Sequence, residues 1–285
     1  MPNFTPGQIE TMKVAALHPN GYTMTNGSNE VYLQENETQE ELQEGDTAQV
    51  FLYENKQGKT QATMYLPKAT LQSYGWAKVV KVVKNLGAFV DIGISRDFLV
   101  FEDDLPVLTE VWPSPGDYLY VTLGHDKEGR LTAKPITEQE VEEIRKDAPI
   151  DLRQQTLQGW VYQTGKVGSF VLTEDGYRGF IHYTERKTEP RLGQQVEGRV
   201  IAVKEDGTVN LSLRPHRLES MDEDAEKILN YLIQQGGKMP FGDKSDPEDI
   251  RSLFNLSKAA FKRSLGKLMK EGKIEQKDGF TYLKE

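Results

Sequence analysis

The period of the hydrophobic pattern changes once along this chain, near residue 218. Before it, short stretches alternate apolar with polar residues or are β-branched and aromatic. After it, apolar positions recur at helical spacing. The clearest strand-rich stretch lies between Leu157 and Pro215. Gly159–Tyr162, Ser169–Thr173 and Arg178–His182 predict three strands, punctuated by Gly165, Gly168 and Gly176. A fourth, Gln195–Val203, follows Gly193. The Asp206-Gly207 turn then leads into a fifth, Val209–Leu213, which Pro215 stops.

The same order recurs in residues 75–135. Lys78–Val83 alternates, Gly87-Ala88-Phe89-Val90 parallels Gly168-Ser169-Phe170-Val171, and Phe98-Leu99-Val100-Phe101 parallels Gly179-Phe180-Ile181-His182. Residues 7–67 repeat it more faintly, through Gly21-Tyr22, Val31–Leu33, Gly45-Asp46 and Thr60–Tyr65. From Gly45 to Thr60 and from Gly116 to Leu131 is 15 positions, and from Gly193 to Val209 is 16. Conserved order and spacing across three copies predict internal repeats. Five short strands with glycine corners over roughly 60–70 residues is the size of an OB-type barrel.

The third copy resembles the S1-type RNA-binding domain. It carries that family's G-x-V opening at Gly159-Trp160-Val161, the G-x-F-V second strand at Gly168–Val171 and the G-x-[IV]-H third strand at Gly179–His182. The fourth strand of the pattern stands at Leu192–Val200 and the closing one at Val209–Ser212. The second copy departs by placing Phe101 where the family has histidine, and the first by placing Gln34 there.

Between the second and third copies, Thr137–Lys146 predicts a short acidic helix with Thr137 as N-cap and Glu140 completing a capping box. Only Val141 and Ile144 give it apolar surface, so a spacer is its simplest role. Beyond Ser220, which with Glu223 forms a second capping box, Ala225, Ile228, Leu229, Leu232 and Ile233 predict an amphipathic helix. Asp246-Pro247 opens another helix through about Phe254, and Ser257 caps a third over Lys258–Glu271. Lys273–Glu275, the Asp278-Gly279 turn and Phe280–Leu283 complete a hairpin. Three helices and a hairpin resemble the winged-helix family.

The resulting expectation is a multidomain chain, mainly β and then α+β: three five-stranded OB barrels of S1 type in tandem, followed by a winged-helix domain. The partition is 1–67, 68–147, 148–217 and 218–285.

Composition narrows the chemistry. There is no cysteine, which fits a reducing compartment and excludes disulfides and thiolate sites. The start carries no basic and then apolar leader pattern, and no run of about 18 apolar residues occurs. A cytoplasmic location is expected. His18, His125, His182 and His216 are far apart without paired ligand spacing, so no metal site is expected. No P-loop, dinucleotide fingerprint, two-metal frame or nucleophile elbow occurs. The reading is therefore a binding protein without a cofactor, not an enzyme.

Net charge is −9, unevenly spread. Residues 1–65 carry 3 Lys/Arg against 9 Asp/Glu, whereas residues 151–218 carry 10 against 8, the one basic excess. Single-stranded nucleic acid is held by stacking unpaired bases on exposed rings while cations follow the phosphates, at about 1–3 kcal/mol per base. In an OB barrel the second and third strands form the binding face. The candidates are Phe170 and His182, with Tyr162, Lys166, Arg178 and Arg199 close by. Phe89, Phe101, Lys84 and Arg130 would serve the second barrel, and Tyr22 and Tyr32 the first, where the acidic excess repels phosphate. On the third C-terminal helix, Lys258, Lys262, Arg263, Lys267 and Lys270 stand opposite an apolar stripe of Phe261, Leu265, Leu268 and Met269. They offer contact to nucleic acid or to a protein partner.

The whole order of modules resembles the bacterial conserved virulence factor B family. That resemblance implies an RNA-binding regulator of gene expression acting after transcription, with single-stranded RNA as partner. The alternative is a DNA-binding transcription regulator working through the winged helix.

Overall fold

The computed structural model describes residues 4–55, 57–215 and 217–284. The chain forms two compact units, residues 1–213 and 214–285.

The first unit holds three five-stranded modules. The first comprises β1 (Ile9–His18), β2 (Gly21–Thr25), β3 (Glu30–Gln34), β4 (Thr47–Glu54) and β5 (Thr60–Thr63). The second comprises β6 (Gly75–Val83), β7 (Gly87–Asp91), β8 (Asp97–Phe101), β9 (Tyr118–His125) and β10 (Leu131–Pro135). After helix α1 (Glu138–Ile144) come β11 (Thr156–Thr164), β12 (Gly168–Thr173), β13 (Arg178–His182), β14 (Gln195–Val203) and β15 (Val209–Ser212).

The first strand of every module carries a bulge at the same place: between Val14 and Ala16, Val79 and Lys81, Val161 and Gln163. A bulge sharpens the twist and bends a strand round a small barrel. Modules one and three close through parallel ladders, Tyr32 beside Gln61 and Phe180 beside Asn210. The second does not, which corrects the expectation of three closed barrels. Its hydrogen-bonded order is β10-β9-β6-β7-β8, an open five-stranded sheet whose edge strands β8 and β10 approach without a ladder. Phe98, fully buried, stands where the third module has Gly179, and its bulk fills the core at the point where the third barrel closes.

The second unit runs α2 (Arg217–Gln234), β16 (Lys238–Met239), α3 (Pro247–Phe254), α4 (Lys258–Lys270), β17 (Ile274–Lys277) and β18 (Phe280–Leu283). Asp246 caps α3 by accepting from the Glu248 N–H at 2.8 Å, and Ser257 caps α4 by accepting from Ala260. Helix α2 begins at Arg217, so Ser220 lies inside it and not at its N-cap. Ala225, Ile228 and Leu232 join Ile250, Phe261, Leu265 and Leu268 in one core, while Ile233 is 52% exposed. Strand β16 pairs with β18 and adds a third strand that the sequence pattern does not announce. His216 lies outside the described residues. Among the described residues no helix is long and apolar enough to cross a membrane.

Candidate nucleic-acid interface

In the third module Val171 and Ile181 point into the barrel, so alternation turns Phe170, Phe180 and His182 outward. Phe170 lies directly opposite Phe180, and Gly168 opposite His182. The rings form a ladder: Phe170 to Phe180 is 5.0 Å between centroids, Phe180 to His182 6.3 Å, and His182 to Tyr183 4.4 Å. Gly168 is required here. A Cβ on it would come within 2.6 Å of the Phe180 ring and 2.4 Å of the Ile181 carbonyl oxygen. Thr184 steadies the imidazole, its Oγ1 lying 2.7 Å from His182 Nδ1.

The Phe170 end of the ladder is covered. The Arg178 guanidinium lies 4.8 Å from the Phe170 ring centroid, within cation–π range. Helix α1 in turn occupies Arg178. Its Nε donates to Glu138 at 2.8 Å and lies 3.0 Å from Glu142, and Nη2 pairs with Glu138 as well. Burial opposes the charged guanidinium, but the hydrogen bond to Glu138 and the neighbouring carboxylates outweigh it and raise its pKa. Tyr162 is buried at the β11 bulge and donates to Glu138 at 2.5 Å, and burial followed by that bond raises its phenol pKa. Tyr162 and Arg178 are therefore in place beside Phe170 but engaged by the chain's own carboxylates.

Helix α1 is more than a spacer. Val141 is fully buried in a cluster with Ile136, Tyr162 and Leu172, flanked by Tyr74, Trp76, Tyr120 and Phe170. On the second module's side, Tyr74 donates to Glu140 at 2.5 Å. Trp76 and Trp160 meet across the same junction at 4.6 Å.

The other two expected cations of this module differ in place: the turn that holds Lys166 adjoins the ladder, its Val167 carbonyl accepting from the Tyr183 N–H at 3.0 Å, and Arg199 is a strand away. Lys166 is exposed in the turn between β11 and β12. Arg199 lies on β14, with β11 between it and β12, and donates to Gln154 at 3.2 Å. That removes Arg199 from the ladder, because adjacency in sequence does not survive the strand order of the barrel.

In the second module Phe89 stands opposite Leu99, and Phe101 opposite Gly87, the same outer positions. Lys84 is exposed in the turn before β7. Phe101 and Arg130 line one cleft of about 370 Å³ with His125 and Lys134. Arg130 is held by Asp126 at 2.8 Å and Glu128 at 2.9 Å, and Lys134 by Asp104 at 3.0 Å. In the first module Tyr32 faces outward near His18, 6.0 Å between centroids. Tyr22 does not join it. Tyr22 lies opposite core residue Leu33, packs against the core, and its hydroxyl accepts from the Leu42 N–H at 3.4 Å. It occupies the inward position that Ser169 holds in the third module.

On α4, Lys262, Arg263 and Lys270 are exposed and Lys258 is half-buried. Lys267 is drawn into ion pairs with Asp222 and Glu271 and is not part of a free basic row. Met269, expected in the apolar stripe, is 41% exposed, and Ser264 takes a buried place instead.

Family models match almost the whole chain: an S1 domain over residues 6–65, the CvfB first S1-like domain over 74–134, the second domain of virulence regulatory factor CvfB over 141–215, and a CvfB-like winged helix domain over 226–283. Conserved virulence factor B of Staphylococcus aureus (strain USA300) is 38% identical over 281 residues, spanning 96% of this chain and 92% of that protein. The chain belongs to the conserved virulence factor B family. Another relative, YitL of Bacillus subtilis (strain 168), is 48% identical over 280 residues, 98% of this chain and 94% of its own. A solved structure of a multidomain protein with nucleic acid binding domains from Streptococcus pneumoniae TIGR4 is also similar. It is 36% identical, covers 98% of both chains and has a TM-score of 0.69. This conserved virulence factor B family member is thus built of S1-like and winged-helix modules, and its S1-like modules support nucleic-acid binding.

Sequence reasoning left out Phe180, Tyr183 and His18 as ring partners. Phe180 was within reach, since it stands two residues before His182 and must share its face. His18 meets Tyr32 only through the β1–β2 pairing, and Tyr183 follows the strand, where alternation no longer assigns a side.

Proposed function

We propose that this protein binds single-stranded RNA on the outward rings of its S1-like modules and acts in the cytoplasm as a post-transcriptional regulator of gene expression. The ladder carries the reading: beyond the covered Phe170, the rings of Phe180, His182 and Tyr183 follow in sequence, with exposed Lys166 in the adjoining turn, and fit stacked unpaired bases. In this reading the third module, residues 148–217, is the principal site. Phe89, Phe101, Lys84 and Arg130 extend it on the second, and Tyr32 with His18 is its weakest part, because the surrounding carboxylates repel phosphate. No catalytic step belongs to it.

The test is titration of the full chain with fluorescent single-stranded RNA, single-stranded DNA and duplex DNA at two salt concentrations. The expected order places single-stranded RNA tightest. Tightest binding to duplex DNA would transfer the function to the winged helix, where exposed Lys262, Arg263 and Lys270 on α4 support a DNA-binding transcription regulator.

A further inference from the structure

The ring ladder ends where the chain places its own carboxylates. A stacking base needs an open ring face, and a phosphate needs an unpaired cation with free donors. At Phe170 neither is open: the Arg178 guanidinium lies over the ring at 4.8 Å, its Nε and Nη2 donate to Glu138, and Nε is ion-paired with Glu142 at 3.0 Å. The guanidinium is a rigid planar fork suited to carboxylate and phosphate alike, so the two ligands compete for one geometry. Only 13% of the Arg178 side chain remains exposed. The helix bearing these carboxylates does not drift, because Val141 is buried beneath it and Tyr74 holds Glu140 from the second module. Glu138 also accepts from the buried Tyr162 hydroxyl, and Glu142 also pairs with Arg145 at 2.6 Å. Glu142 is exposed and follows the buried Val141, so Glu138, Val141 and Glu142 share one face of α1 at i, i+3 and i+4.

We propose that Glu138 and Glu142 are specificity-determining residues that stand in for phosphate: they hold Arg178 over Phe170 and close the nucleic-acid track of the third module at that end. The track then runs over Phe180, His182 and Tyr183 (57% exposed) and not across Arg178. This rests on the RNA-binding reading and adds to it a boundary and a latent cation. RNA affinity of the native chain is set without Arg178, and a phosphate gains access to it only where the carboxylates let go.

The experiment is a salt-dependent titration of the full-length chain with a fluorescent oligouridylate, comparing wild type, Glu138→Gln/Glu142→Gln, Arg178→Gln, and the three substitutions combined. Glutamine keeps the shape and an acceptor for Tyr162 while removing the charge. The expected result for the double variant is affinity higher by about threefold or more at low salt. The slope of log K against log [salt] should steepen by about 0.7, one added phosphate contact on a single strand. Arg178→Gln alone is expected to leave affinity within about twofold, and in the triple variant to abolish the gain. That last arm separates release of Arg178 from a general loss of negative charge. Unchanged affinity and slope in the double variant, or a gain that survives Arg178→Gln, would overturn the proposal while leaving RNA binding intact. Absence of RNA binding by wild type would instead remove the reading beneath it. Photocrosslinking with 4-thiouridine in the same oligonucleotide gives a second readout: adducts at Phe180–Tyr183 in wild type, extending to Phe170 only in the double variant.

Discussion

Trp76 of β6 and Trp160 of β11 meet with ring centroids 4.6 Å apart, and through them the second module packs on the third. Tyr120 lies 4.8 Å from Trp76, and Tyr118 lies 6.4 Å from Trp160, so the contact is a continuous aromatic seam. Asp117 reinforces it by accepting from Arg191 Nε at 3.1 Å, as does a backbone bond from the Tyr118 N–H to the Gly193 carbonyl at 2.9 Å. Offset aromatic pairs contribute about 0.5–1.5 kcal/mol beyond the area they bury. A double-mutant cycle of Trp76→Phe and Trp160→Phe, read by urea unfolding, is expected to return a coupling energy at the lower end of that range. Strict additivity would mean that the two rings merely share a location.

The ring ladder makes a direct prediction. Phe180→Ala with His182→Ala is expected to weaken single-stranded RNA binding by at least about tenfold, since each stacked base contributes about 1–3 kcal/mol. The far-ultraviolet circular dichroism should stay unchanged. Phe170→Ala is expected to cost less affinity, because Arg178 already covers that ring. Equal losses for the two variants would move the platform back to Phe170.

Gly168→Ala tests the packing under the ladder. The added methyl meets the Phe180 ring at 2.6 Å and the Ile181 carbonyl at 2.4 Å, and must push the ring aside or part the strands. Overpacking of this kind typically costs about 1–3 kcal/mol. Both the thermal midpoint and RNA affinity should fall together. A variant that loses affinity at full stability would point to a contact made by Gly168 itself.

The α1 junction has a pH dependence with a definite sign. Burial raises the Glu140 pKa, but the bonds it accepts from Thr137 and Tyr74 prevail, and its carboxyl sits below the usual value. A group depressed in the folded state contributes stability above its unfolded pKa, and that contribution is lost as pH falls through the folded one. Acidification below about 4.5 should therefore weaken the junction. Glu140→Gln is expected to flatten this part of the stability profile at and below the ordinary glutamate range. The three tryptophans, Trp76, Trp112 and Trp160, all lie in the first unit, so their fluorescence follows its unfolding alone. An unaltered profile in the variant would mean that other carboxylates set the acid limit.

Much of this architecture was legible in one sequence. Alternation, glycine corners and constant spacing carry the fifteen strands of the first unit, because a strand's two faces and its turns are local properties. The caps at Asp246 and Ser257 were equally readable, each needing only a side chain two or three residues from the N–H it satisfies. The histidine motif and its glycine mark β12 and β13, the two strands that carry the ring ladder, for the same reason. Failures began where two distant segments had to meet. Arg199 and Arg178 look alike in sequence, yet barrel order puts one a strand away from the ladder and the other onto Phe170. Tyr22 and Tyr32 look like a pair, yet register turns one into the core. The third barrel closes at Gly179, where a Cβ would come within 2.7 Å of Leu211, and the second module has buried Phe98 at that place beside an open edge, a tertiary contact that strand patterning does not report.

Helix α1 divides the two kinds of information most clearly. Its position and its capping box are written in ten consecutive residues. That its carboxylates end on Arg178, Tyr162 and Tyr74 depends on two modules closing around Val141, and long-range packing of that kind leaves no local mark on the chain.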